Sequence, residues 1–238
     1  MIKLTGIGIA VALLLMGCAG QPVVTVPEES AATPIRNETA GWWYVRFRLA
    51  WPEEEEPLWW PDLLLADRVA GPVLDAEGEA IYLWRFHRRA ARDDAGRQFS
   101  FIFRALPATA RRVNARIAAD PLLIHLQETG VVQKVSYDDP SQLQRPGIGD
   151  TSDKNWSPEM QMAWPYFILG VSRLWLGLIR ELEQRGEWPT EPFARYAAVE
   201  KALNARWREE GNHALLHHLS GVFGYRELVI LRQDTMRF

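Results

Sequence analysis

The stretch from Gly41 to Trp51, GWWYVRFRLAW, decides how the chain folds. Its odd-numbered side chains, from Trp43 to Trp51, are apolar, whereas its even-numbered side chains include Arg46 and Arg48. Alternation with a period of two predicts a β-strand that buries one face. The stretch therefore predicts a sheet with one apolar face and a second face that carries positive charge.

Further elements follow this strand at regular intervals. The spacing of apolar residues predicts a helix over residues 58–70 and a helix or broken helix over 107–129. Alternation predicts strands over 81–89, 98–104 and 131–137, and the sequence Asp-Asp-Ala-Gly at 93–96 predicts a hairpin turn between the first two of these. The order resembles the ferredoxin-like βαββαβ arrangement, so an α+β module is predicted over residues 41–138. This resemblance implies that the first and third strands are central and that both helices cover one face.

The C-terminal third of the chain has a different pattern. Residues 139–156, rich in Pro, Gly and Asp, predict a linker, and residues 157–238 predict a helical region that packs on the module. Ser157 is a predicted N-cap, Pro165 predicts a kink or restart, and the apolar run 166–179 predicts a helix buried in protein rather than a membrane span. Two more helices are predicted over 191–210 and 212–223, separated at Gly211, and a short strand or extended tail over 227–231.

The N-terminus has the order of an export signal. Residues 1–17 contain a lysine, then an apolar stretch that is too short for a permanent membrane span. The stretch ends in Leu15-Met16-Gly17-Cys18, which resembles the lipobox of bacterial lipoproteins over residues 1–21. This resemblance implies cleavage before Cys18 and fatty acylation of its thiol and its new amino group. Ala19 resembles the pattern of lipoproteins sent to the periplasmic side of the outer membrane.

Residues 18–40 mix Pro, Thr, Ser, Glu and Ala without periodicity, which predicts a flexible tether between the lipid and the folded module. Cys18 is the only cysteine in the chain, so stability cannot depend on a disulfide. The formal net charge of −3 favours neither nucleic acid nor an acidic surface as a partner.

The basic face of the predicted sheet is the first candidate site. It comprises Arg46, Arg48, Arg85, His87 and Arg89, which Arg104 and Lys134 could join. In one interpretation this face packs on the C-terminal helices, and acidic residues of those helices pair with the arginines. These acidic residues are Glu181, Glu183, Glu200, Glu209 and Glu210. In another interpretation the face binds an anionic small molecule, a lipid headgroup or an acidic protein. Nucleic acid is not expected because an exported protein does not meet it.

Two histidines form a weaker candidate site, for a metal ion. His213 and His217 lie one helical turn apart and could share a metal ion, but the HExxH pattern of zinc hydrolases is missing and solvated histidines are the simpler interpretation. On the same helix Leu215, Leu216, Leu219, Val222 and Phe223 form a predicted buried stripe. No cofactor is expected.

The preferred hypothesis is a lipoprotein of the bacterial envelope that is not an enzyme and acts through contacts with another protein. The alternative is a binding protein or enzyme for an anionic small molecule. That alternative places the ligand on the basic face with His87, or near His213 and His217, in a crevice between the module and the helical region. A deep polar pocket where these residues converge would favour the alternative hypothesis. A flat aromatic patch would favour the preferred hypothesis, in which the lipoprotein binds another protein.

Overall fold

The structure, a computed structural model, describes residues 40–224, without the side chain of Asn212. The predictions for the signal peptide, for Cys18 and for the tether up to residue 39 lie outside the described residues, as does the predicted tail at 227–231. Ala40, predicted as the last tether residue, is instead fully buried and accepts a hydrogen bond from Arg104.

Four antiparallel strands form the sheet. They are β1 (Gly41–Leu49), β2 (Ile81–Arg89), β3 (Gln98–Ala105) and β4 (Val132–Tyr137), in the order β2-β3-β1-β4. The first and third strands are therefore central. The predicted hairpin between β2 and β3 is confirmed, and the Asp93 side chain accepts hydrogen bonds from the backbone N–H groups of Ala95 and Gly96 in its turn. Gly96 has a φ of 63°, a conformation that favours glycine.

The helices between the strands begin near the predicted positions, but the first runs beyond its predicted end at residue 70. A continuous helical stretch runs through α1 (Trp60–Leu64), a π-helical segment (Leu65–Ala70) and α2 (Gly71–Glu77), ending in a 3₁₀ turn (Gly78–Ala80). The predicted broken helix is α3 (Pro107–Ala118) followed by α4 (Pro121–Glu128), where Asp120 caps the second part through the backbone N–H of Leu123. The α+β class is confirmed.

The C-terminal helices are α5 (Pro158–Arg185), α6 (Pro192–Gly211), a π-helical segment (Asn212–His217) and α7 (His218–Val222). Ser157 caps α5 as predicted, its hydroxyl accepting from the N–H of Met160. The predicted restart at Pro165 and the predicted separation of two helices at Gly211 are wrong, because the helical backbone is continuous at both positions. Pro165 lies inside a continuous α5, and the helical conformation of Gly211, with φ −61°, lets α6 pass directly into the π-helical segment.

One apolar core joins the helices to one sheet face. Phe47, Phe99, Phe101 and Phe103 are fully buried in it. The C-terminal helices enter the same core with residues from α5 and α6, among them Leu176, Ile179, Tyr196, Val199 and Leu203. Residues 157–211 therefore contribute to the core on the helical side of the sheet, and Leu169 of α5 also packs against Trp42, Leu83 and Ile102 on the other face.

α5 also protects an edge of the sheet. β2 is an edge strand, so one row of its backbone groups has no neighbouring strand. The Ser172 hydroxyl of α5 accepts a hydrogen bond of 3.1 Å from the backbone N–H of Phe86 on this edge. Trp175 of α5 packs edge-on against the Phe86 ring, 5.6 Å between centroids. The position of α5 is thus fixed by polar and aromatic contacts.

A buried ionic network ties α1 to the hairpin. The Asp62 carboxylate is fully buried and accepts hydrogen bonds from Arg97 at 2.8 Å and from Arg88 at 2.6 Å. The ring of Trp59 lies against both guanidinium groups, 4.1 Å from that of Arg97. Buried charges need such partners because desolvation of an unpaired charge is very costly.

Candidate functional site

The strand register places the predicted basic residues on one face of the sheet. Arg48 lies opposite Lys134, His87 opposite Ser100, and Arg89 opposite Gln98. Because directly paired residues of antiparallel strands point to the same side, the even-numbered residues of β1 share a face with the odd-numbered residues of β2. All of the predicted residues, Arg46, Arg48, Arg85, His87, Arg89, Arg104 and Lys134, lie on that face.

Half of this basic face is covered by the segment predicted as a linker. The Trp42 indole donates hydrogen bonds of 3.0 and 2.9 Å to the carbonyls of Gly147 and Ile148. Ile102 and Leu83 pack with Trp42 in a small cluster of their own, which Ile148 and Leu169 cover. Residues 145–151 therefore close this part of the sheet.

Asp138 fixes the start of the covering segment. Its carboxylate accepts from Arg46 at 2.9 Å, from the backbone N–H of Tyr44 at 3.1 Å, and from Arg145. Both guanidinium groups also stack on the Tyr44 ring. Arg46 is thus committed to a structural ion pair.

The other half of the basic face remains open. Arg48, His87 and Lys134 are exposed there. Arg89 is held by the carboxylate of Asp93, and Arg48 donates to the backbone carbonyl of Asp94 at 3.0 Å. The turn of the hairpin therefore uses two of the predicted anion-binding arginines.

Arg85 differs from its neighbours. Among residues 40–224 no carboxylate lies within ion-pair distance of its guanidinium, which donates a long hydrogen bond of 3.3 Å to the carbonyl of Thr151. Its Nε and the Thr151 hydroxyl are both buried without a hydrogen-bond partner. Burial lowers the pKa of Arg85, and burial followed by the positive charges of Arg85 and Arg89 lowers the pKa of His87.

The C-terminal acids do not pair with the basic face. Glu181 pairs with Arg185, Glu183 with Arg195, and both Glu209 and Glu210 with Arg206, while Glu200 accepts from Asn204. All of these partners belong to α5 or α6. The interpretation that these acids neutralise the sheet arginines is wrong, because the helices pack on the opposite face and along the β2 edge.

The histidine cluster lies on the surface at the end of the helical region. The rings of His213 and His217 stack with centroids 5.2 Å apart, and His218 meets both edge-on. Among the described residues no three His, Cys, Asp or Glu side chains are grouped to hold a metal ion. The predicted buried stripe on this helix is wrong at four positions, since Leu216, Leu219, Val222 and Phe223 are 38 to 83% exposed.

The main surface cavities are shallow and do not unite the predicted residues. One of about 460 Å³ lies beside the hairpin turn and is lined by Arg48, Trp51 and Arg92, among others. Another of about 380 Å³ lies between Trp59, Arg88 and Trp207, and a third of about 350 Å³ between Trp84, Arg173 and Arg180. His87, His213 and His217 line none of these three.

The outer face of α5 is the feature that sequence reasoning missed. Seven large apolar side chains are between 38 and 57% exposed along it: Met160, Met162, Tyr166, Phe167, Val171, Leu174 and Leu178. The prediction that this apolar run is buried in protein is therefore wrong for one side of the helix. Only the opposite side, with Ser172, Leu176 and Ile179, is buried.

By length and composition α5 could cross a membrane. Its most apolar 18-residue window has a mean hydropathy of 1.3 and is 22% buried within the protein. However, Ser172 and Trp175 attach the helix to the edge of the sheet. A spanning helix would have to leave these contacts, so the outer face is better described as the apolar surface of a docked helix.

Comparisons with known proteins give little further information. No protein-family model matches the chain, and no curated protein matches it. A match among solved structures is titled "Crystal structure of TsrL", with 16% sequence identity and a TM-score of 0.37 over 79% of this chain. The matched region covers 50% of that protein, so this chain corresponds to about half of its length.

Proposed function

We propose that this chain is a lipid-anchored protein of the bacterial envelope that is not an enzyme and acts by binding a protein partner. The order of residues 1–18, with a short apolar stretch that ends in Leu15-Met16-Gly17-Cys18, supports export and acylation at Cys18. Ala19 supports the periplasmic side of the outer membrane. Two or more acyl chains give stable anchoring, so the folded domain works beside a bilayer.

The exposed outer face of α5 carries the proposal for a protein partner. Between Met160 and Leu178 the sequence has one charged residue, Arg173. Monomeric proteins rarely expose contiguous apolar surface of this kind, since each Å² removed from water is worth about 25 cal/mol. Because its other side is fixed to β2, the helix presents this face in a defined orientation.

We further propose that residues 41–138 form a ferredoxin-like module. The antiparallel order β2-β3-β1-β4, with helical stretches after β1 and after β3, supports this arrangement. Its function here is that of a rigid support: one sheet face binds the helices between the strands, and the β2 edge binds α5. The helical region from residue 158 is then the functional addition to the module.

Site-specific photocrosslinking in the native envelope tests the protein partner. A photoreactive residue at Leu174 of the full-length chain should give a protein adduct, whereas one at Glu128, exposed on α4, should not. Adducts with lipid alone at Leu174, or equal adducts at both positions, would contradict the proposal. Cys18→Ser should move the protein from the membrane fraction to the soluble fraction and reduce the Leu174 adduct.

The open half of the basic face supports a second candidate, the binding of a small anion. Arg85 is a partly buried cation without a carboxylate partner among the described residues, and its buried Nε is unsatisfied. A buried donor without a partner costs about 1–3 kcal/mol, which an anion that accepts from it would recover. His87 lies two residues away on the same face and is partly accessible to solvent.

Titration with inorganic phosphate tests this second candidate. Saturable shifts of the His87 ring signals in an NMR spectrum should disappear in Arg85→Gln and persist in Lys134→Gln, which removes an exposed cation from the same face. Binding that survives Arg85→Gln would exclude the site.

A further inference from the structure

The outer face of α5 alternates large and small side chains in a regular way. Large residues recur at Met160, Phe167 and Leu174, seven residues apart, and small residues recur with the same interval at Ala163, Gly170 and Gly177. A seven-residue repeat keeps side chains on one face of a helix. Each of these six residues is exposed.

The fold of this chain does not explain the two glycines. A Cβ atom added at Gly170 or Gly177 would meet nothing within 4 Å. Glycine in a helix is about 1 kcal/mol less favourable than alanine, so two exposed glycines destabilise α5 without any benefit to its own packing. Small residues on a helix face allow the backbone of another helix to approach closely.

We propose that the partner of α5 is a second copy of this chain, bound antiparallel along the same helix about a two-fold axis between Ile168 and Leu169. This inference rests on the proposed function, since it names the occupant of the same face. With that axis Met160 faces Gly177 of the second copy, Ala163 faces Leu174, and Phe167 faces Gly170. In a two-fold interface each contact occurs twice, so every large side chain of the repeat meets a small one.

Other occupants fit the face less well. In a parallel pair Phe167 would face Phe167 and Gly170 would face Gly170, which leaves alternating clashes and voids. A bilayer would gain nothing from glycine, because burial of apolar surface is what binds a helix to lipid. In the antiparallel pair the helix dipoles of the two copies oppose each other favourably.

The proposed interface between the two copies of α5 is short, and attachment to a membrane compensates for the weak affinity that results. From Met160 to Gly177 the helix runs about 26 Å at 1.5 Å per residue. One helix pair of this length buries less than the roughly 800 Å² per partner of a standard interface, so pairing in dilute solution is weak. Attachment of both copies to one membrane surface raises their effective concentration.

Cysteine crosslinking of the full-length chain in native membranes tests the arrangement. Two copies with different tags are co-expressed, one with Ala163→Cys and the other with Leu174→Cys. Their mixture should form a disulfide-linked dimer, because the two positions face each other. Each variant alone should give at least ten-fold less dimer. In such a dimer the two identical cysteines lie eleven residues apart along the helix pair, about 16 Å, because of the position of the two-fold axis. Equal dimer from each variant alone, or none from the mixture, would overturn the proposal.

A bulky residue at a glycine provides the second test. Gly170→Leu should reduce the mixed crosslink at least ten-fold without lowering the midpoint of thermal unfolding, because the side chain has free space in the single chain. Glu128→Leu, at an exposed position on α4, is the control and should leave the crosslink unchanged. An unchanged crosslink in Gly170→Leu would overturn the dimer. If Leu174 then still photocrosslinks to a different protein, the proposed function stands and the dimer fails.

Discussion

The two faces of the sheet are covered by different means. The face with Phe47 and Phe101 is sealed by helices through apolar and aromatic packing, whereas the basic face is covered only in part. There the cover is an extended segment held by the carboxylate of Asp138 and the indole of Trp42. One face is thus stabilised by a large aromatic core, and the other by a small apolar cluster together with a few directional hydrogen bonds.

Because of this difference, the two faces do not tolerate change equally. Interlocked aromatic rings transmit a change to all their neighbours, since protein interiors are close-packed. A segment attached by a few hydrogen bonds can be released locally while the sheet stays folded. The covering segment is therefore the part of the sheet surface whose opening costs the least free energy.

The largest expected effect comes from the apolar face. Phe101 is fully buried and contacts the rings of Trp84, Phe86 and Phe103. Phe101→Ala should lower the free energy of unfolding by about 3–5 kcal/mol in chemical denaturation, because it leaves a cavity among rigid rings. Lys134→Ala on the basic face should change it by less than about 0.5 kcal/mol. Similar losses from both variants would remove the contrast between the faces.

An intermediate effect is expected where two adjacent tryptophans point to opposite faces. Trp42→Phe removes donors to the carbonyls of Gly147 and Ile148, and Trp43→Phe removes a donor to the carbonyl of Ala105. Each should cost about 1–3 kcal/mol. Only Trp42→Phe should expose residues 139–156 to proteolysis under native conditions, because only that indole holds the covering segment.

Limited digestion followed by mass spectrometry distinguishes the two variants. Cleavage of residues 139–156 at the same rate in Trp43→Phe would mean that the segment opens with the whole fold rather than locally.

The sequence pattern was sufficient for the sheet because its signal is local. Alternation from Gly41 to Trp51 identified β1, and the phase at Arg85, His87 and Arg89 placed these residues on the correct face. The role of residues 139–156 could not be predicted in this way. Proline, glycine and aspartate mark an irregular backbone, but they do not indicate whether that backbone crosses solvent or lies on a sheet.

The apolar run of α5 shows a second limit of the pattern. Its residues are apolar on nearly every side, so periodicity could not tell which side the protein covers. Similarly, the Asp62 network joins residues 26 and 35 positions apart, and neither spacing carries a local signal. Such contacts depend on tertiary structure alone.

The smallest expected effect is the pH response of His87 on the basic face. Burial and the charges of Arg85 and Arg89 hold its pKa below the usual 6.5 in the folded protein. As the pH falls below 6.5, the unfolded chain takes up a proton at this residue before the folded protein does, so stability decreases in that range and not above it. His87→Gln should therefore flatten the slope of stability against pH just below 6.5.

The neighbouring arginine sharpens this prediction. Arg85→Gln removes one of the two repelling charges and should raise the pKa of His87, measured from its ring signals by NMR. If the pKa of His87 is unchanged in Arg85→Gln, the charge of Arg85 does not act on this residue, and burial and Arg89 lower its pKa. A higher pKa would instead show that the face keeps a concentrated positive potential, which the helix-covered face, with its aromatic side chains, does not have.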